Sequence, residues 1–391
     1  FMRYKANIYV FLIYDFLTNL SPLAFIYTLY LTQQEITLTH AGTLLGVYQL
    51  SKLLFEIPSG FISDKLGRKK CGIFGQSVFI LFLFITLFSR SFIVLFLGSV
   101  LRGIAYAFLS GTADCIFNES ILKSSPNKMD FWLSIDKCLF YTSIGLSGII
   151  GGFLATFRYD IVFYFDILMQ FLSLLCIFQF RETSLTKMSR KQNDIKVSLK
   201  KAIKNRKIVY LLLLPSIIAI IFLPYEDYYS VILRSQSIPE FEMGILTGMP
   251  LLISAVAGMF TQKLNQKFGY GFTVKGLPIL SAIIFSIMIV FLDHVFAAWG
   301  LYVLCEALSN INNTSYNSCF QKEIESTSRA TLMSLRSFGI ALTAIVISPI
   351  VGWSCDHFGF KLTFLTSAFI CLFILFFINL VYLNEESFEL Q

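Results

Sequence analysis

The feature that most limits what this chain can become is the length of its uninterrupted apolar runs. Ile208 to Leu223, Phe364 to Leu383 and Val78 to Phe88 contain no acidic, basic or histidine side chain. Roughly 20 mostly apolar residues in a helix cross a bilayer, where no water is present to satisfy a free backbone amide. Similar runs recur along the chain. Of its 391 residues 56% are hydrophobic and only 14% charged, against about 25% charged in an ordinary soluble domain. These features identify an all-α membrane protein. The apolar segments predict twelve transmembrane helices, at 7–31, 39–62, 71–89, 92–118, 131–156, 161–180, 208–233, 242–262, 273–292, 295–320, 331–353 and 361–383.

Cut at those helices, the basic residues sort by side. Of 31 Lys and Arg, 23 fall on the side of the N-terminus, and only Arg90, Arg158, Arg234 and Lys361 fall on the other. Lys52, Arg102, Lys137 and Arg336 lie inside helices. The positive-inside rule then places both termini in the cytoplasm, with the chain crossing the cell membrane many times. Ten of the inner cations lie between Arg181 and Lys207, opposed only by Glu182 and Asp194. This basic linker, 181–207, separates a first six-helix bundle (1–180) from a second (208–384), with a cytoplasmic tail at 385–391. It reads either as a solvated connector or as a segment lying on anionic lipid of the inner leaflet. The net charge of +7 follows from this topology and gives no ground for a nucleic-acid partner.

Met2 is expected to be the native start, with Phe1 an added residue. The segment Asn7 to Leu31 is too long for a signal-peptide core and holds Asp15 and Asn19, so it is expected to stay as a first helix. The eight cysteines are scattered, with no C-x-x-C pair. No zinc site, disulfide framework or cofactor is expected from them.

The two halves carry traces of a repeat. Gly46 precedes Gly60 by the same interval as Gly244 precedes Gly258, and Asp64-Lys65-Leu66 is echoed by Gln262-Lys263-Leu264. Ser147-Gly148-Ile149-Ile150-Gly151 is echoed by Ser348-Pro349-Ile350-Val351-Gly352. Repeats in the same membrane orientation imply two pseudo-symmetric six-helix bundles with substrate bound near the midplane.

The strongest motif is Gly60-Phe61-Ile62-Ser63-Asp64-Lys65-Leu66-Gly67-Arg68-Lys69-Lys70. It resembles the signature loop between helices 2 and 3 of the major facilitator superfamily, G-x-x-x-D-R-x-G-R-R/K-R/K, with Lys65 where arginine is usual. The preceding Glu56-Ile57-Pro58-Ser59 resembles a bacterial drug-efflux branch. The resemblance implies the facilitator fold and transport by alternating access. It also implies a conformational latch on the inner face formed by Gly60, Asp64, Gly67, Arg68 and, at the inner end of helix 4, Glu119. The alternative is that Lys65 to Lys70 only anchor topology.

In helix 4, Arg102-Gly103 resembles the family's buried-arginine motif with its glycine displaced. Arg102 lies roughly 15 Å from the helix end at 1.5 Å per residue. A charge at that depth costs about 2.5–3.5 kcal/mol on insertion scales, so it needs a partner or a wet cavity; a structural salt bridge is the competing reading. Helix 5 reads Ser143-x-x-x-Ser147-Gly148-Ile149-Ile150-Gly151-Gly152, where a drug/proton antiporter carries G-x-x-x-G-P-x-x-G-G. The missing proline leaves export versus import open, and helix packing alone explains the glycines.

In this family helices 1, 4, 7 and 10 line the central cavity. Carried to this sequence, the candidate lining is Asp15, Arg102, Tyr106, Glu226, Glu306 and Asn310. Asp15, in a possible pair with Arg102, is the expected principal proton-coupling group and Glu306 the second; each also reads as a hydrogen-bonded structural acid. The expected function is proton-coupled export of amphipathic drug-like or peptide-like small molecules, by a monomer whose partners are substrate, protons and membrane lipid. The alternative is a proton symporter importing a polar metabolite. Against an enzyme, His40, His294 and His357 sit apart, and no metal-spacing cluster, G-x-S-x-G elbow or phosphate loop occurs.

Overall fold

The structure, a computed structural model, describes residues 2–110, 112–125, 128–182, 204–324 and 329–382; among them every regular element is helical. They are α1 (Met2–Asn19), α2 (Leu23–Gln33), α3 (Leu38–Leu66), α4 (Arg68–Phe88), α5 (Phe92–Leu109), α6 (Thr112–Ser124), α7 (Met129–Ala155) and α8 (Tyr159–Gln179). There follow α9 (Arg206–Ser235), α10 (Glu240–Gly258), α11 (Thr261–Gly271), a π-helical turn (Phe272–Gly276), α12 (Leu277–Val290), α13 (Val295–Glu323) and α14 (Arg329–Tyr382). Most of the linker, 183–203, and the whole tail, 385–391, lie outside the described residues.

The helices fall on the segments expected from the apolar runs, with instructive departures. The first, expected as one helix over 7–31, is two. Pro22 cannot donate a backbone hydrogen bond, and the chain leaves the helix at Leu20 and Ser21. The freed N–H of Leu23 donates to the carboxylate of Asp166 in α8 at 2.8 Å, and the Ser21 hydroxyl donates to the same oxygen at 3.1 Å. A fully buried Asp166 thus caps the start of α2, where the helix dipole favours a negative charge. The segment expected at 92–118 is likewise divided into α5 and α6. The segments expected at 331–353 and 361–383 are the two helices of α14, 54 residues in all, which meet at a kink at its one non-helical position, Gly359 at φ +77°. A straight helix of that length would run roughly 80 Å against an apolar layer of about 30 Å, so the chain has to turn within it. Only glycine takes that positive φ without strain, and the turn falls there.

Among the described residues nine helical stretches are long and apolar enough to cross a membrane. The more polar α3, with Lys52 and Glu56, and α13, with Glu306, Asn310 and Asn312, are not among them. Large apolar side chains such as Ile57, Phe88, Ile93, Phe296 and Phe369 are exposed, as suits surfaces that meet lipid. Lipid removes the hydrophobic drive between helices, so close packing and interhelical hydrogen bonds hold them, the latter worth about 0.6 kcal/mol each. Ser51 Oγ donates to Val100 O at 2.8 Å, Ser59 Oγ to Ala107 O at 2.8 Å, and Gln76 Nε2 to Gln170 Oε1 at 2.7 Å.

Packing divides the chain into two compact units: Phe1–Thr186 with Ser237–Gly248, and Lys187–Gln236 with Met249–Gln391. The division differs from a simple cut at the linker because the first half of α10 packs into the first unit. A Cβ placed on Gly152 of α7 would lie 2.5 Å from Gly244 Cα, and one on Gly148 would lie 2.8 Å from Gly248 N. Backbones this close admit nothing larger than glycine. In the first unit Phe11 stacks on Phe117 with centroids 4.1 Å apart, and Tyr30 meets Phe163 at 4.5 Å. In the second, Tyr225 packs against Phe285 at 5.0 Å and Phe364 at 5.3 Å.

Candidate functional site

The deepest cation of the first unit is built in by a glycine. A Cβ on Gly103 would lie 2.5 Å from Tyr48 O and 2.6 Å from Lys52 N, so α5 can approach α3 this closely only at a glycine. That approach brings Tyr48 against the neighbouring Arg102. The guanidinium carbon lies 4.4 Å from the Tyr48 ring centroid, 5.2 Å from Tyr27, 5.4 Å from Phe82 and 6.0 Å from Tyr106. Ring faces are the negative part of an aromatic quadrupole, and each such contact contributes about 0.5–2 kcal/mol depending on desolvation. Tyr106 in turn packs edge-on against Tyr48 at 5.4 Å and Phe79 at 5.2 Å. A cavity of about 170 Å³ opens beside Arg102 and Tyr106.

Asp15 stands in different surroundings. Asn19, one turn on, donates to its Oδ1 at 2.9 Å, and the charges that act on it most strongly are Asp136, Asp114 and Lys137. Asp15, Asp114 and Asp136, from α1, α6 and α7, and Lys137 thus influence one another electrostatically, while Arg102 sits among the rings of α2, α3, α4 and its own helix. Asp114, Asp136 and Lys137 were not singled out in the sequence as a group. Their one signal there is that they are charges inside expected helices.

At the start of α4 in the first unit, Arg68 Nη1 lies 2.6 Å from Glu119 Oε1. Gly67 joins α3 to α4 at φ +96°. A Cβ there would meet Glu182 Oε1 at 2.6 Å, and that same oxygen accepts the Lys69 backbone N–H at 2.9 Å. Glu182, visible in the sequence only as a linker acid, caps the first turn of α4. Around Gly60 an added Cβ would meet no described atom within 4 Å. The side chain of Asp64 lies outside the described residues.

The second unit holds the acids. Glu306 of α13 is 8% exposed and accepts a hydrogen bond from Tyr302, while its Oε1 has no hydrogen-bond partner among the described residues. Glu226 of α9 is near enough for the two negative charges to repel. Tyrosines cluster by Glu306, with Tyr229 to Tyr302 at 4.6 Å, Tyr225 to Tyr229 at 5.2 Å and Tyr225 to Tyr302 at 5.5 Å between centroids, while Glu226 itself is exposed. Asn310, one turn beyond Glu306, is engaged in packing: its amide donates to Ser254 O at 3.0 Å, and Gly258 sits against its Oδ1. Elsewhere in the second unit Lys207 Nζ pairs with Glu323 at 2.6 Å, and Arg336 Nη1 donates to Asn317 Oδ1 at 2.6 Å. Among the described residues no group of three or more His, Cys, Asp or Glu is placed to hold a metal ion.

Charges of both signs held deep in apolar helices are the mark of a path for solutes or ions. Residues 8–331 match the family model of the Major Facilitator Superfamily. The chain belongs to that family.

Its solved neighbours agree in fold. A mutant of the nucleoside transporter NupG superposes with a TM-score of 0.81 at 12% identity, over 96% of this chain and 100% of that one. A bacterial homolog of the human lysosomal transporter Spinster, in an inward-facing and unoccupied conformation, gives 0.78 at 14% identity, over 98% of both chains. Among curated proteins, an uncharacterized transporter of Buchnera aphidicola subsp. Schizaphis graminum is 27% identical over 171 residues. That match covers 44% of this chain and only 41% of the Buchnera protein. This facilitator is accordingly a multi-pass membrane protein built to move a small molecule. Of the rings around Arg102 only Tyr106 is among the residues singled out in the sequence; the others, and the tyrosines by Glu306, are not, because 42 Phe and 18 Tyr spread along the sequence give no pattern that separates lipid-facing rings from pocket walls.

Proposed function

We propose that this facilitator couples the proton gradient to export of amphipathic small molecules, drug-like or peptide-like, across the cell membrane, with both termini in the cytoplasm and the monomer as the working unit. The observation that carries the reading is the Glu226–Glu306 pair beside the tyrosine cluster. A buried carboxylate such as Glu306 with a second negative charge close by takes up a proton or a cation, and gives it up when its surroundings open to water. Asp15, on which the charges of Asp114, Asp136 and Lys137 act, is the proposed matching group of the first unit, with Arg102 the proposed basic partner of the coupling. Asp15, Tyr106, Glu226, Glu306 and Asn310 are the proposed lining around substrate. Gly60, Asp64, Gly67, Arg68 and Glu119 are the proposed inner latch, and the 2.6 Å Arg68–Glu119 contact supports its charged part.

The sign of proton movement tests this. Purified protein is placed in proteoliposomes with a pH-sensitive dye inside, and amphipathic compounds and polar metabolites are added one at a time. Exchange of a substrate for a proton and co-transport with a proton move the internal pH in opposite directions. Asp15→Asn is expected to abolish gradient-driven transport and leave passive exchange intact; unchanged gradient-driven transport removes Asp15 from the coupling path. The second reading, symport of a polar metabolite into the cell, is favoured by one observation: Gly148 stands where the antiporter motif has proline.

A further inference from the structure

We propose that the first unit carries a binding site for an anionic glycerophospholipid, with one acyl chain in a groove between α4 and α8 and the phosphate on Lys70. The site goes beyond the transport reading, because it assigns a resident membrane partner rather than a substrate.

The groove follows from how the two helices meet. Lys69 Nζ donates to Phe178 O at 2.5 Å, and two turns on Gln76 Nε2 donates to Gln170 Oε1 at 2.7 Å, so α4 and α8 run antiparallel. The glutamine pair is fully buried and ties the helices together on their inward sides. Outside it they part, leaving a groove of about 550 Å³. Its walls include Ser77, Ile80 and Phe84 of α4 and Tyr164, Phe171 and Leu174 of α8. Ser77 is the smallest of these, and its hydroxyl donates to Ile73 O of its own helix at 2.8 Å. Apart from the Tyr164 hydroxyl, the walls are then aliphatic and aromatic, which suits an acyl chain, and the volume lies within the roughly 300–1,000 Å³ of ligand sites.

Charge and depth select the lipid. Exposed positions on α4 recur at Lys70, Phe74, Ser77, Leu81, Phe84 and Phe88, so Lys70 stands on the face that forms the groove. Lys70 and Phe84 lie about 21 Å apart along the helix at 1.5 Å per residue. That is close to the distance from headgroups to midplane in a bilayer roughly 40–45 Å thick. A lipid whose chain fills the groove therefore has its phosphate at the level of Lys70. Arg181, just past the end of α8, is a second exposed cation at this end, and the Lys69 ammonium is already engaged by Phe178 O. The acid there, Glu182, accepts the Lys69 backbone N–H through Oε1 at the positive end of α4. Basic side chains outnumber it, and a basic site between membrane helices favours an anionic headgroup over a zwitterionic one.

Native mass spectrometry of the full-length protein tests this. Delipidated protein in detergent micelles is mixed with equal amounts of phosphatidylglycerol and phosphatidylcholine carrying the same acyl chains, and the first bound lipid is identified. Phosphatidylglycerol should exceed phosphatidylcholine about fivefold, the margin of one basic side chain beside an anionic lipid. Lys70→Gln should bring the two to parity. Ser77→Phe, which puts a ring into the groove and leaves the cation in place, should lower retention of phosphatidylglycerol about tenfold. Both side chains are exposed, so neither change enters the packing between helices. Excess inorganic phosphate should leave the bound lipid in place. Equal retention of the two lipids by the unaltered protein overturns the proposal, as does a preference that survives Lys70→Gln. So does full retention by Ser77→Phe, and so does displacement by phosphate, which would mean that the anion alone is recognised. No transport is measured, so a failure of proton-coupled export leaves the outcome standing, and the reverse holds as well.

Discussion

The surroundings of Arg102 in the first unit and of Glu306 in the second are both walled by aromatic side chains, yet the walls serve the two charges differently. A cation facing the rings of Tyr48, Tyr27, Phe82 and Tyr106 meets their negative faces and is held. A carboxylate among Tyr225, Tyr229 and Tyr302 gains nothing from those faces. Its help comes from one hydroxyl, that of Tyr302, and it is opposed by Glu226. The same residue types therefore make a settled charge in one unit and an unsettled one in the other. A group whose charge is settled is suited to recognition, and one that is relieved by a proton or cation is suited to coupling.

The sharpest way to break this contrast is Glu306→Gln. The amide keeps the shape and removes the negative charge, so gradient-driven transport in proteoliposomes should fall to background while counterflow of labelled solute persists. Thermal unfolding of the same variant in micelles should show a midpoint equal to or above that of the unaltered protein, because a repelled, poorly solvated charge is gone. A variant that transports normally, or that unfolds several degrees earlier, would show Glu306 to be a settled charge after all.

The Arg102 side of the contrast predicts losses of stability instead. Gly103→Val drives side-chain atoms into the backbone of α3 at Tyr48 and Lys52 and pushes Tyr48 off the guanidinium. Overpacking of this kind costs about 3 kcal/mol, measured by denaturant titration in micelles. Arg102→Gln keeps the backbone contact and loses the ring contacts, for a smaller cost of about 2 kcal/mol. If Arg102→Gln proves neutral, the rings are not holding the charge and the two regions are alike.

How far these regions were legible in the sequence follows from the same physics. The helices were readable because a membrane demands long apolar runs, and Gly60 to Lys70 pointed to the family because its spacing is unusual. The break at Ser21-Pro22 was not read, since membrane helices tolerate proline when something satisfies the freed amide. Here that something is Asp166, 143 residues away along the chain from Leu23. The separate settings of Asp15 and Arg102 were hidden for a related reason. Depth along a helix can be counted in residues, but the side to which a chain points depends on neighbours such as Gly103 that decide which helices touch. The last two spans were legible as separate helices, and a single glycine, Gly359, makes the turn between them.

The smallest predicted effect separates the two kinds of aromatic wall most finely. Tyr302→Phe keeps the ring and removes the one hydroxyl that donates to Glu306. The buried carboxylate then loses a hydrogen bond that cannot be replaced by water without opening the cluster, at a cost of about 1 kcal/mol when charged and less when it holds a proton. The loss should therefore be larger in denaturant titrations at high pH than at low pH, and proton-coupled transport should need a different proton concentration for half its maximal rate. The corresponding change on the first unit, Tyr48→Phe, keeps the ring face toward Arg102 and should leave the Arg102-dependent stability within about 0.5 kcal/mol of the original. If instead Tyr302→Phe is silent at every pH and Tyr48→Phe is costly, the hydroxyl matters to the cation and the ring to the acid, and the assignment of the two walls is reversed.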